Sequence, residues 1–191
     1  GQCVHDKIAD CAQKGMKVPW ETKFDCATPK AEGWDPEGAA KGPTWAIDAN
    51  PNPPAFKSAG CSLNFNDGTN IGCPGGTKLS QKIGVEGTAW SPYIDATALK
   101  QGAQLAARFM LAGNWPATAH LDVETSVDNG KTWTKLSEQK SGNATDWSLV
   151  TLDLAPYTGK FFQLRLHFWT TACTTAGTGP FVDDFKIWDA T

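Results

Sequence analysis

From Trp45 to Trp188 the chain alternates apolar and polar residues with a period of two, and a helical period is almost absent. Trp45 to Ala49 alternates, and so does Ser62-Leu63-Asn64-Phe65-Asn66. Thr88 to Ile94 reads as a strand entering Asp95, and His120 to Val127 alternates cleanly. Asp128-Asn129-Gly130 supplies the positive φ angles of a tight hairpin, with Thr132 to Leu136 as the return strand. Trp147 to Leu154 and Phe181 to Trp188 follow the same pattern. Phe161 to Trp169 sets Phe162, Leu164, Leu166 and Phe168 on one face, against Phe161, Arg165, His167 and Trp169 on the other. Gln104 to Leu111 is apolar enough to be buried on both faces, and passes for helix on composition alone. The pattern predicts an all-β chain: an antiparallel β-sandwich (jelly roll) over residues 43–191. Its inward face takes Phe162, Leu164, Leu166 and Phe168 together with Val123 and Leu152.

Residues 1–42 break that pattern. Asp6 to Gln13 has room for one short helix, and Pro19, Pro29, Pro36, Gly33, Gly38 and Gly42 follow. The expectation is an irregular N-terminal arm stapled by disulfides rather than by a core of its own. The six cysteines are Cys3, Cys11, Cys26, Cys61, Cys73 and Cys173. An even number in a turn-rich chain, with no Cys-x-x-Cys pair and scattered histidines, favours disulfides and an oxidising, extracellular compartment. The compact polar loop between Cys61 and Cys73 makes that pair the first choice and Cys3–Cys11 the second, which leaves Cys26–Cys173. A net charge of −3 without a basic block argues against nucleic acid or a polybasic membrane clamp. No apolar run approaches the roughly 20 residues of a membrane span. With no signal peptide, the chain reads as a mature or excised segment.

Several pieces recur in a recognisable order: Trp45-Ala46-Ile47-Asp48, Ser62 to Gly68, Gly87 to Asp95, Val123 to Trp133, Val150 to Leu154, Tyr157 to Lys160, Gln163 to Phe168 and Gly179 to Phe185. This order resembles jelly-roll domains of the MAM type, including those appended to bacterial secreted metalloproteases similar to immune inhibitor A. The resemblance covers residues 43–190, and residues 1–42 and the cysteine set have no counterpart in it. It implies an extracellular sandwich in which the inward Asp of the Val182-Asp183-Asp184 run helps hold a structural cation.

The residues themselves also offer hard-cation ligands. Asp67 lies among Asn64, Asn66, Thr69 and Asn70, the short oxygen side chains that calcium takes. Asp183 and Asp184 sit in an apolar strand, and period two turns one of them inward, where an unpaired charge is costly. A calcium ion joining the Asn66-Asp67 loop to Asp183 or Asp184 answers that cost, with Asp48 as a weaker ligand. A salt bridge, for example to Arg165, is the alternative.

Catalytic patterns are lacking: there is no Gly-x-Ser-x-Gly elbow, no His-Glu-x-x-His and no glycine-rich loop opening a helix. Glu86 and Glu124 are the candidate carboxylate pair for glycoside hydrolysis, yet Glu124 lies in an alternating strand and reads as solvent-facing. The chain is read as not an enzyme, with no catalytic residue assigned. Nine tryptophans are many, and Trp20, Trp34, Trp90, Trp115 and Trp169 have no evident core position. Exposed indoles stack on sugar rings or anchor protein partners. Trp115, in the Gly113-Asn114-Trp115-Pro116 turn, and Trp90 are the candidate ligand-binding residues. Asn143-Ala144-Thr145 is a glycosylation sequon. The reading is a secreted, non-enzymatic module that binds a glycan or a cell-surface protein, its loops held by calcium. The alternatives are a structural or adhesive subunit that self-assembles through arm and edge strands, and an accessory domain of a secreted protease or hydrolase.

Overall fold

A computed structural model describes residues 15–26, 33–38, 45–48, 60–65, 71–73, 84–100, 102–141 and 146–191, with backbone alone at 36–38 and 48. In chain order the strands are β1 (Met16–Lys17), β2 (Trp20–Thr22), β3 (Asp35–Gly38), β4 (Trp45–Asp48), β5 (Ser62–Phe65), β6 (Glu86–Trp90) and β7 (Ile94–Asp95). They continue as β8 (Leu105–Ala112), β9 (Ala119–Ser126), β10 (Thr134–Gln139), β11 (Ser148–Asp153), β12 (Phe161–Thr170) and β13 (Phe181–Asp189). A 3₁₀ turn, Ala155–Tyr157, makes the corner between β11 and β12.

The strands form two sheets. In the seven-stranded sheet β12 lies between β9 and β6, with β10 beyond β9 and β3 beyond β6. β7 and then β1 continue from the early end of β12. In the six-stranded sheet the order is β11-β8-β13-β5-β4, with β2 also on β13. Among the described residues all pairings are antiparallel except β1 with β7. This is the antiparallel sandwich that alternation implies, since each strand must bury one face against the other sheet.

Phe162, Leu164, Leu166 and Phe168 of β12 point inward with Val123 and Leu152, each 4 % exposed or less. Phe109 and Phe185 stack in parallel across β8 and β13, ring centroids 5.4 Å apart. The segment from Gln104 to Leu111 is neither helix nor buried on both faces. Leu105, Ala107, Phe109 and Leu111 are buried, while Ala106, Arg108 and Met110 are not, so β8 is half-buried.

The arm differs from expectation. Its described residues include short strands: β1 and β3 extend one sheet and β2 the other. Trp20, Phe24 and Trp34 lie in the common core, where Trp34 meets Phe185 edge-on at 5.2 Å. Strands of two to four residues are too short to show a period, so only tertiary pairing reveals them. The Asp6–Gln13 helix lies outside the described residues.

The cysteine pairing is also corrected. Cys26 bonds Cys61 and Cys73 bonds Cys173, in place of Cys61–Cys73 and Cys26–Cys173. Cys61 precedes β5, which lies beside β13 and near β2, so the arm cysteine after β2 is its neighbour. Proximity in sequence lost to proximity across strands. Cys3 and Cys11 lie outside the described residues, as does the sequon.

Candidate functional site

Alternation turns every second residue of β6, β9 and β12 away from the core. β9 presents His120, Asp122 and Glu124; β12 presents Arg165, His167 and Trp169; β6 presents Glu86, Thr88 and Trp90. Register then sets these side chains in rows: Glu124, Arg165 and Trp90 in one, Asp122, His167 and Thr88 in the next, His120, Trp169 and Glu86 in the third. β10 adds Lys135 and Glu138 beyond β9.

The rows are bound together by charge. Arg165 Nε donates to Glu124 Oε2 at 2.5 Å, and His167 reaches Glu86 through Nε2 at 2.8 Å and Glu124 through Nδ1 at 3.4 Å. Lys135 bridges Asp122 and Glu138, and His120 Nδ1 lies 2.8 Å from Glu138 Oε1. Burial alone would raise the Glu124 pKa, but His167 and Arg165 outweigh it and hold the carboxyl at about 2. His120 and Lys135 hold Glu138 at about 2 as well. Burial works against charge on His167, yet the Glu124 and Glu86 carboxylates prevail and raise its pKa.

Three tryptophans stand on this framework. Trp169 lies flat on His120 and donates its indole N–H to Asp122 Oδ2 at 3.1 Å. Trp133 carries the Arg165 guanidinium over its ring, 4.3 Å from the centroid, and meets Trp90 edge-on at 5.0 Å. Two clefts flank the His120–Trp169 ridge. One, about 330 Å³, lies toward β10 and is lined by His120, Glu138 and Gln139 with Trp115 and Pro116. The other, about 270 Å³, lies toward β6 and is lined by Gly84, Val85, Glu86, His167, Trp169 and Thr170. On the opposite face of the sandwich, Arg108 covers Trp188, and Leu149 is 59 % exposed.

Of the sequence candidates, Trp90 stands on the aromatic face. Trp115 does not: its indole is 6 % exposed and packs edge-on against Phe168, although its turn stays at the surface. Trp133 also stands on this outer face. Trp169 was missed as a ligand residue, although its place on the outward face of β12 was legible. Glu86 and Glu124 do converge, through His167. Glycoside hydrolysis pairs a protonated acid with an ionised carboxylate, and of these two roles Glu124, held ionised by His167 and Arg165, fits only the second.

Of the metal candidates, Asn66 and Asp67 lie outside the described residues, and Asp48 is placed only by its backbone pairing with Ser62. Asp183 is the inward member of its pair, fully buried, and accepts the Asp184 N–H at 2.7 Å. Asp184 has φ of +48°, at a bulge in β13 between Asp183 and Lys186. Arg165, the alternative partner, instead holds Glu124 on the other sheet. A different donor set exists on the aromatic face, where ligand atoms of Asp122, Glu124 and His167 lie within 4.8 Å of one another and could hold a metal ion. Lys135 and Arg165 already neutralise two of these groups.

No family model and no curated protein matches the chain. Solved structures share its fold. The K1 cleaved adhesin domain of Lys-gingipain from Porphyromonas gingivalis W83 is 14 % identical with a TM-score of 0.56, covering 91 % of this chain and 99 % of that one. The carbohydrate-binding module TmCBM61, solved with β-1,4-galactotriose, is 12 % identical with a TM-score of 0.52, covering 88 % and 99 %. The CBM22-1 xylan-binding domain from Paenibacillus barcinonensis Xyn10C is 13 % identical with a TM-score of 0.50, covering 90 % and 94 %. Similarity at these identities is similarity of the β-sandwich fold.

Proposed function

We propose that the chain is a secreted, non-enzymatic carbohydrate-binding module that takes its glycan on the outer face of the β10-β9-β12-β6 sheet. The observation that carries the reading is the set of three indoles on that face, Trp90, Trp133 and Trp169, each fixed by a ring or polar neighbour. Ordered aromatic rings beside carboxylates and imidazoles supply the stacking surface and hydroxyl partners that sugar recognition uses. The fold is shared with modules solved as galactotriose and xylan binders. Disulfides fit an oxidising compartment, and the MAM-like order of motifs agrees with an extracellular domain. An array of immobilised plant and microbial polysaccharides tests the reading. Wild-type protein should bind at least one polysaccharide, and a Trp133→Ala, Trp169→Ala double variant should bind none.

A structural calcium ion belongs to the same reading. Its support is Asp183, a fully buried carboxylate on a strand whose preceding residue, Val182, pairs with Leu63. Ser62 and its backbone partner Asp48 lie next along that row, while Asn66 and Asp67 lie outside the described residues. Calcium held there stabilises the folded state by mass action. Chelator should lower the melting temperature, added calcium should restore it, and Asp183→Asn should abolish the response.

The adhesin likeness supports a second reading, a structural or adhesive subunit that assembles through its arm and edge strands. Multi-angle scattering separates the two: self-assembly into oligomers would favour the adhesive role, a monomer the binding module.

A further inference from the structure

The two clefts beside the His120–Trp169 ridge differ in chemistry. The cleft toward β10 has Lys140 at its rim beside Glu138. Among the described residues, none lining the cleft toward β6 is a lysine or arginine: the polar lining is Glu86, His167 and Thr170, above a floor of Gly84 and Val85. Gly84 is obligatory in that floor, because a Cβ there would fall 1.6 Å from Thr170 O. Trp169 forms the wall. One of its ring faces is covered by His120, with planes 16° from parallel, so the other face fronts this cleft. Its indole N–H is spent on Asp122, which fixes the ring's direction. Glu86 gives one carboxylate oxygen to His167 and is 70 % exposed, so its second oxygen can accept from a ligand hydroxyl or amine.

We propose that the cleft between β6 and β12 is a sugar subsite selective for uncharged or amine-bearing units. This rests on the glycan-binding reading and specifies which class of glycan that face takes. A pyranose lies with its C–H face on the free side of Trp169. Its hydroxyls or amine donate to Glu86 and meet the His167 imidazole. A uronate carboxylate or a sulfate placed there faces Glu86, with Glu124 behind His167 and no lysine or arginine among the described lining residues. Like charges at such range reject a ligand more effectively than added contacts select one.

Titration calorimetry with defined oligosaccharides tests this: cello-, xylo- and galacto-oligosaccharides, fully deacetylated chitosan oligosaccharides, and oligogalacturonates. Wild type should bind at least one neutral or amine-bearing set and no oligogalacturonate. Trp169→Ala should weaken that binding at least tenfold, and Trp188→Ala, on the opposite face, should not. Glu86→Gln, at an exposed side chain that the fold does not need, should weaken chitosan oligosaccharides more than neutral ones, and Glu86→Lys should admit oligogalacturonate. Binding that survives Trp169→Ala and Glu86→Gln unchanged would overturn the subsite while leaving the glycan reading standing, as would wild-type preference for oligogalacturonate. Failure of wild type to bind any of the sets would overturn both.

Discussion

The Trp169 indole lies against the His120 imidazole with ring centroids 4.2 Å apart and planes 16° from parallel. The two residues are direct cross-strand partners on β12 and β9, so register alone brings them together. Each is held again from the side, Trp169 by Asp122 and His120 by Glu138. A ring tethered twice loses little freedom when a ligand stacks on it, which lowers the entropic cost of binding.

His120→Ala should therefore loosen Trp169 without unfolding the domain. An aromatic pair on a sheet surface is worth about 0.5–1.5 kcal/mol, and urea denaturation should show a loss of that size. Glycan affinity should fall more than that stability change implies, because the platform is no longer pre-set. Unchanged affinity would mean that the stack is only structural.

The ion network makes stability depend on pH in two windows. The folded pKa of His167 is raised, so its contribution is fully present below the unfolded value near 6.5 and is lost as pH rises through the folded value. The folded pKa of Glu124 is lowered to about 2, so its contribution is present above the unfolded value near 4.5 and is lost as pH falls toward 2. Melting temperatures of wild type and His167→Gln should differ most around pH 5–6 and converge in alkaline buffer. A difference that grows with rising pH would show that the sign is wrong.

Peptide mapping without reduction should find Cys26 joined to Cys61 and Cys73 joined to Cys173. The second bridge closes the longer loop, with a sequence separation of 100 against 35, so the Cys73→Ala, Cys173→Ala pair should be the more destabilising. Losses of about 2–5 kcal/mol are expected for each. A Cys61–Cys73 peptide would contradict the strand arrangement around β5.

The arm is part of the core, and Trp34 is its anchor, 4 % exposed among Trp20, Phe24 and Phe185. Trp34→Ala should cost about 3–5 kcal/mol. A loss under about 1 kcal/mol in chemical denaturation would return the arm to the status of an appendage.

The sandwich was legible where strands are long and one face is buried. β9 and β12 alternate for eight and ten residues, and their inward sets were readable directly. The outward set on β12 was equally readable. Register was not: nothing in the sequence says that Trp169 faces His120 or that His167 lies between Glu86 and Glu124. For the same reason the local pairing of Cys61 with Cys73 looked attractive, although both bond to distant partners. Trp115 misled because a Gly-Asn-Trp-Pro turn suggests exposure, whereas Gly113, at φ of +106°, turns the chain tightly enough to pack the indole on Phe168.

The most direct measurement is an NMR map of the nine tryptophan indole N–H signals as a neutral oligosaccharide is added. Each face of the sandwich has its own reporter: Trp90, Trp133 and Trp169 on one, Trp188 on the other, and Trp20, Trp34, Trp45 and Trp115 in the core. The expected result is a saturable shift of Trp169, with smaller shifts at Trp133 and Trp90 and none at Trp188. A shift centred on Trp188, with Trp169 unmoved, would place the glycan on the other sheet and contradict the assignment of the site.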